Sequence, residues 1–140
     1  EGDVGGNLEQ SSRVQAGLGL FCPTDLLYDA VENKARFDNP GSPIYQLLGC
    51  KPSENLDKAK MASATGHITR DDPPILILAG GADKQEPSIH GKRMKAAYDK
   101  AGLKATFQVV EGAGHGGPQY RDAKRKKLIL DMFAKQLRGE

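Results

Sequence analysis

Asp71-Asp72-Pro73-Pro74-Ile75-Leu76-Ile77-Leu78-Ala79-Gly80-Gly81-Ala82-Asp83 is the stretch on which the fold of this chain turns. Within it, Ile75 to Ala79 are apolar without alternation, held between a Pro-Pro and a Gly-Gly pair. A strand with one wet face alternates polar and apolar residues, whereas one apolar on both faces is covered on both sides, as in a parallel sheet. Downstream, Pro87-Ser88 opens a helix with Ile89, Met94, Ala97, Tyr98 and Ala101 on one face and Gly102 as its stop. Ala105 to Val110 (ATFQVV) reads as a second strand. After the glycine-rich Gly112 to Pro118 a last helix carries Leu128, Ile129, Met132, Phe133 and Leu137 at three- and four-residue spacing. Asp122 near its start and Arg138 near its end suit the helix dipole.

Upstream, Val14 to Phe21 (VQAGLGLF) reads as a buried strand ended by Cys22-Pro23. Asp38 to Cys50 reads as a turn and a short helix near Pro43 to Leu48. Pro52-Ser53 opens another helix, with Ser53 as N-cap and Leu56, Ala59 and Ala62 recurring every third residue. Strands alternating with helices define an α/β chain with a parallel sheet flanked by helices. Only three strands are legible, which is small for such a sheet and points to half of a larger one.

The 140 residues leave room for a single domain, or a fragment of one, over 1–140. A closed domain of this size exposes about 7,100 Å². Twenty basic residues against 18 acidic give a net charge of +2, which supplies no reason to expect nucleic acid or a membrane surface as partner. The basic run Arg121, Lys124, Arg125, Lys126 and Lys127 has no interleaved aromatics and reads as a solvated helix face. No apolar run approaches a membrane span. The opening Glu1-Gly2-Asp3 has neither a starting Met nor a signal peptide behind it, so the chain is expected to be a piece of something longer. A secreted or periplasmic parent stays open, as does the state of Cys22 and Cys50, which allow one disulfide at most.

Ligands of open α/β sheets gather at the carboxyl ends of the strands. Asp83 lies four residues after Ala79, and His115 five after Val110, so each occupies that address. An Asp that accepts from one ring nitrogen of a His fixes its tautomer, and the other nitrogen can then take a proton from a nucleophile. The competing reading makes Asp83 an Asx-turn or cap. The nucleophile itself is missing. Gly-x-Ser-x-Gly occurs nowhere, and none of Ser11, Ser12, Ser42, Ser53, Ser63 and Ser88 sits between glycines after a strand. Where a Gly-x-Ser-x-Gly elbow sits on such a sheet the chain order is Ser, Asp, His, so the serine is expected upstream.

Together DDPPILILAGGAD (71–83), HGKRMKAAYDKAG (90–102) and VVEGAGHGG (109–117) resemble the C-terminal half of an α/β-hydrolase of the esterase/lipase family, which has feruloyl-esterase-like and acetyl-xylan-esterase-like members. SSRVQAGLGLFCPTDLL (11–27) resembles the strand and loop after the nucleophile region of that family. The resemblance implies that 14–21, 75–79 and 105–110 are the last three of eight strands. It also implies a triad with Asp83 as acid and His115 as base. The activity implied is carboxylic-ester hydrolysis on a small-molecule or carbohydrate-linked ester, without a cofactor. A serine peptidase shares the pattern and is the alternative within the class. The other alternative is a non-catalytic remnant or assembly module, whose first strand would offer an open edge to the upstream half of the protein or to a second copy.

Two further readings are weaker. Gly112-Ala113-Gly114-His115-Gly116-Gly117 fits the dinucleotide fingerprint G-x-G-x-x-G, but no second strand with an acidic residue follows, and Asp131 falls inside the last helix. His67, His90 and His115 show no metal-ligand spacing, and His90 is expected in solvent.

Overall fold

The computed structural model describes residues 5–139. β1 (Gly17–Leu20), β2 (Ile75–Gly80) and β3 (Ala105–Val110) form a parallel sheet in the order β1-β2-β3. The central strand is the apolar run, and its lack of alternation has a direct cause. Leu76 and Leu78 face α6 (Ala123–Arg138), where they join Val110, Leu128, Ile129 and Met132. Ile77 faces the other way, onto Met94 and Tyr98 of α5 (Pro87–Lys100). A helix thus covers each face of β2, and burying each of these aliphatic side chains contributes about 1.5–3 kcal/mol.

Between β1 and β2 the chain forms four short helices: α1 (Leu26–Glu32), α2 (Lys34–Phe37), α3 (Pro43–Leu48) and α4 (Leu56–Met61). Asp25 caps α1 by accepting from the Tyr28 amide at 2.9 Å, and Ser42 caps α3 by accepting from the Tyr45 amide at 3.1 Å. At the far end, Asp122 caps α6 through the Arg125 amide at 2.7 Å.

Two elements differ from the sequence reading, β1 and the helix after Pro52. β1 is shorter than 14–21 because pairing begins only at Gly17, opposite Ile75, and Val14 is exposed. The helix expected from Pro52 is split into a 3-10 turn, Pro52–Glu54, and α4. Ser53 is not its N-cap: the Ser53 hydroxyl donates to Asp38 Oδ2 at 2.6 Å and its amide to Oδ1 at 3.1 Å. Those two bonds hold the Asp38 carboxyl below its usual range.

The accessible surface is 9136 Å² against the roughly 7,100 Å² expected of a closed domain of this mass. Leu47, Met61, Leu130 and Leu137 are among the large apolar side chains left exposed. Among the described residues no helix is long and apolar enough to cross a membrane. Cys22 and Cys50 are free thiols.

Gly91, on the face of α5 that meets β3, lies directly against the ring of Phe107, where an added Cβ would overlap the ring edge. Gly91→Ala is therefore expected to destabilise the fold by about 1–3 kcal/mol, read as a lower urea midpoint. An unchanged midpoint would show that Phe107 has room to yield.

Candidate active site

Parallel pairing sets Gly80 opposite Val110, so the loops after β2 and β3 leave the same end of the sheet side by side. They are then stitched together. Gly81 N–H donates to the Val110 carbonyl at 3.0 Å, and Ala82 N–H to the Ala113 carbonyl at 2.9 Å. Gly80 makes the approach feasible, since a Cβ there would strike the Ala113 and Gly114 carbonyls and the Tyr120 hydroxyl.

Asp83 and His115, the two residues singled out from the sequence, meet across this seam. His115 Nδ1 lies 2.9 Å from Asp83 Oδ2. The other Asp83 oxygen accepts from the Gln85 amide at 2.8 Å, so one oxygen makes the Asx-turn while the other faces the imidazole. The Asp83 side chain is 1% exposed and that of His115 44%, which puts the carboxylate in the interior and the imidazole at the surface of a cavity. A carboxylate oxygen can only accept, so the ring proton sits on Nδ1 and Nε2 keeps a free lone pair.

Two aromatic residues support the imidazole, and neither was singled out from the sequence. The Phe21 ring lies 4.5 Å from it, tilted by 51°, and meets Tyr120 edge-on at 5.4 Å. Phe21 directly follows β1 with φ +43°, a left-handed backbone that costs a non-glycine residue about 1–3 kcal/mol. Its amide is fixed by the Leu78 carbonyl at 2.7 Å. Tyr120 donates to the Gly114 carbonyl at 3.3 Å, and burial, then the charge of Asp83, push its phenol up, keeping it a donor.

His115 opens on a cavity of about 580 Å³. Phe21, Cys22 and Pro23 form one side, and Phe37, Ser42 and Ile44 of the segment between β1 and β2 form another. Burial pushes the Cys22 thiol up, so it sits there protonated. Ser42 shares the cavity with His115, but its hydroxyl is committed to the Phe37 carbonyl at 2.8 Å and to capping α3. Ser63 is likewise engaged, accepting from the Leu27 amide at 2.9 Å and donating to the Ala59 carbonyl at 2.7 Å.

The glycine-rich loop does not take the dinucleotide-binding form. Gly114 and Gly116 pair across His115, and the 3-10 turn Pro118–Arg121 separates the loop from α6. His90 corrects the sequence reading: it is buried, not solvated, between Asp25 and Asp29.

A three-stranded parallel sheet with helices on both faces, and an Asp and a His on neighbouring loops at its carboxyl end, is part of an α/β-hydrolase fold. The BD-FAE family model matches residues 1–98, through β1, β2 and Asp83, and the chain belongs to that family. Among solved structures, a truncated carbohydrate esterase from gut microbiota is 35% identical at a TM-score of 0.83, with 96% of this chain covering 47% of that one. A bifunctional GH43-CE protein of Bacteroides eggerthii is 28% identical at a TM-score of 0.74, with 96% of this chain covering 17% of it. An esterase of the planctomycete Thermogutta terrifontis, 23% identical at a TM-score of 0.62 over 89% of this chain and 44% of its own, shares the fold. The chain thus spans less than half the length of these structures. The comparison with curated proteins found no match.

Gly80→Ala is expected to push the His115 loop off the Asp83 loop. The hydrogen-bonded Nδ1 proton of His115, a downfield and slowly exchanging NMR signal while the bond stands, should disappear. Its persistence would show that the two loops do not depend on the glycine.

Proposed function

We propose that the protein to which this chain belongs hydrolyses carboxylic esters through a Ser-Asp-His triad. Asp83 and His115 supply the acid and the base, and a serine outside these 140 residues supplies the nucleophile. The observation that carries the reading is the 2.9 Å contact between His115 Nδ1 and buried Asp83, with the imidazole at the wall of a cavity. Kinship with carbohydrate esterases and the presence of esterases among the fold neighbours support it. They favour a carbohydrate-linked ester as substrate.

The chemistry follows from the tautomer. Nε2 of His115 takes the serine proton as the serine oxygen bonds to the ester carbonyl carbon, and Asp83 stabilises the imidazolium that forms. The tetrahedral intermediate collapses by breaking its bond to the alcohol oxygen, which receives the proton from Nε2. Water, deprotonated by the same nitrogen, then attacks the acyl-serine and releases the carboxylic acid and the free serine. Backbone amides from the rest of the protein would hold the developing oxyanion.

In the full-length protein Asp83→Asn, which favours the wrong ring tautomer, is expected to lower turnover of an acetyl ester about 10⁴-fold with the fold intact. Near-wild-type hydrolysis would overturn the assignment. A fluorophosphonate probe should label a serine outside this chain; stoichiometric labelling of Ser42 or any other serine within it would place the nucleophile elsewhere. Acetyl, feruloyl and p-nitrophenyl esters assayed beside aminoacyl amides separate esterase from peptidase.

A further inference from the structure

The cavity that His115 borders holds one charge that the triad does not use. Its walls are mostly apolar, with Phe21, Pro23, Phe37, Pro43, Ile44 and Pro87 among them. The two charged residues that line it are Asp29 of α1 and Arg36 of α2. Asp29 is turned away from any ligand. Its side chain is 2% exposed, Asn33 Nδ2 donates to one oxygen at 3.0 Å, and the buried His90 ring lies 3.3 Å from the other. Arg36 is the opposite case. It is exposed, and among the described residues its guanidinium forms no ion pair and no hydrogen bond. It lies over the Phe37 ring, 4.9 Å from the centroid, and a ring face attracts a cation without neutralising it.

An unneutralised cation beside low-dielectric walls acts on whatever enters. Such walls focus its field into the cavity and draw in ligands of negative charge. The choice of arginine narrows the ligand further. A guanidinium presents its N–H donors as a planar fork that fits the two oxygens of a carboxylate, which a point-like ammonium does not. Charge balance narrows it again: one carboxylate cancels one guanidinium, whereas a phosphate monoester, at about −1.5 to −2, is left partly uncompensated. The segment that presents Arg36 is also anchored. The Phe37 carbonyl accepts from the Ser42 hydroxyl at 2.8 Å, and the Asp38 carboxylate accepts from the hydroxyl and amide of Ser53 at 2.6 and 3.1 Å.

We propose that Arg36 is a specificity-determining residue, pairing with a carboxylate on the substrate while His115 faces the ester. The substrate class narrows accordingly, from any carbohydrate-linked ester to one carried by an acidic sugar. This rests on the hydrolase reading for its purpose, but its binding step is measured without turnover.

The test uses the full-length protein and two probes of one ring, methyl β-D-glucuronoside and methyl β-D-glucoside, which differ by a carboxylate against a hydroxymethyl group. In NMR titrations at low ionic strength the glucuronoside should bind about tenfold or more tightly than the glucoside and shift the His115 ring signals. Added salt should weaken the glucuronoside selectively. Arg36→Gln should abolish the preference and Arg36→Glu should reverse it, with circular dichroism confirming the fold of each. If neither variant folds, the wild-type comparison decides. Equal affinity for the two probes, no binding of the glucuronoside, binding that leaves His115 unmoved, or a preference that survives in folded Arg36→Gln would overturn the assignment. Absence of p-nitrophenyl acetate hydrolysis by the wild type, assayed separately, would count against the triad and leave the binding result standing.

Discussion

The close approach of two loops over Gly80 is the constraint on which the site depends. β2 and β3 are in parallel register, with Gly80 opposite Val110, but register only brings the loops to the same edge. To bring the His115 imidazole within 2.9 Å of the Asp83 carboxylate, the backbone after β3 must fold back over the end of β2. It does so with the Ala113 and Gly114 carbonyls where a side chain at position 80 would stand. The hydrogen bonds from Gly81 and Ala82 to Val110 and Ala113 then fix that approach, and the Asp83–His115 contact is the result of sheet and glycine together.

The core and the dyad were legible in the sequence for the same reason. β2 is a run with helices on both faces, so its composition alone declares its burial, and its boundaries at Pro-Pro and Gly-Gly need no tertiary information. The addresses of Asp83 and His115 follow from counting past strand ends. What escaped reading was whatever depends on a partner distant in the chain. Ser53 reads as an N-cap because its local pattern is right, but Asp38, fifteen residues away, captures both its hydroxyl and its amide. His90 reads as a solvated residue because it falls early in its helix. Nothing local announces that Asp25 and Asp29 close over it from α1. Phe21 reads as the last residue of a strand, and a left-handed backbone at a phenylalanine has no sequence signature at all.

The two His-Asp pairs show how environment separates similar chemistry. His115 sits on a glycine-rich loop, 44% exposed, with Nε2 free. His90 sits in a helix, 6% exposed, with both ring nitrogens facing groups of α1 or its cap. The first leaves a ring nitrogen open to the cavity, whereas the second ties α5 to α1. The Pro23–Ile68 segment, which adds no strand to the sheet, supplies both the cavity wall and the acidic partners of His90.

Phe21 links the imidazole to the least secured part of the sheet. β1 is four residues long, contains two glycines, and is paired on one side alone among the described residues. Its last bond, from the Phe21 amide to Leu78, also fixes the aromatic ring that backs His115. A displacement of β1 would carry that ring with it, so the imidazole would lose its backing while β2 and β3 stay paired. Anything that clamps the rim of the sheet steadies the imidazole from a distance, and a neighbouring strand laid along β1 would do so without touching the histidine.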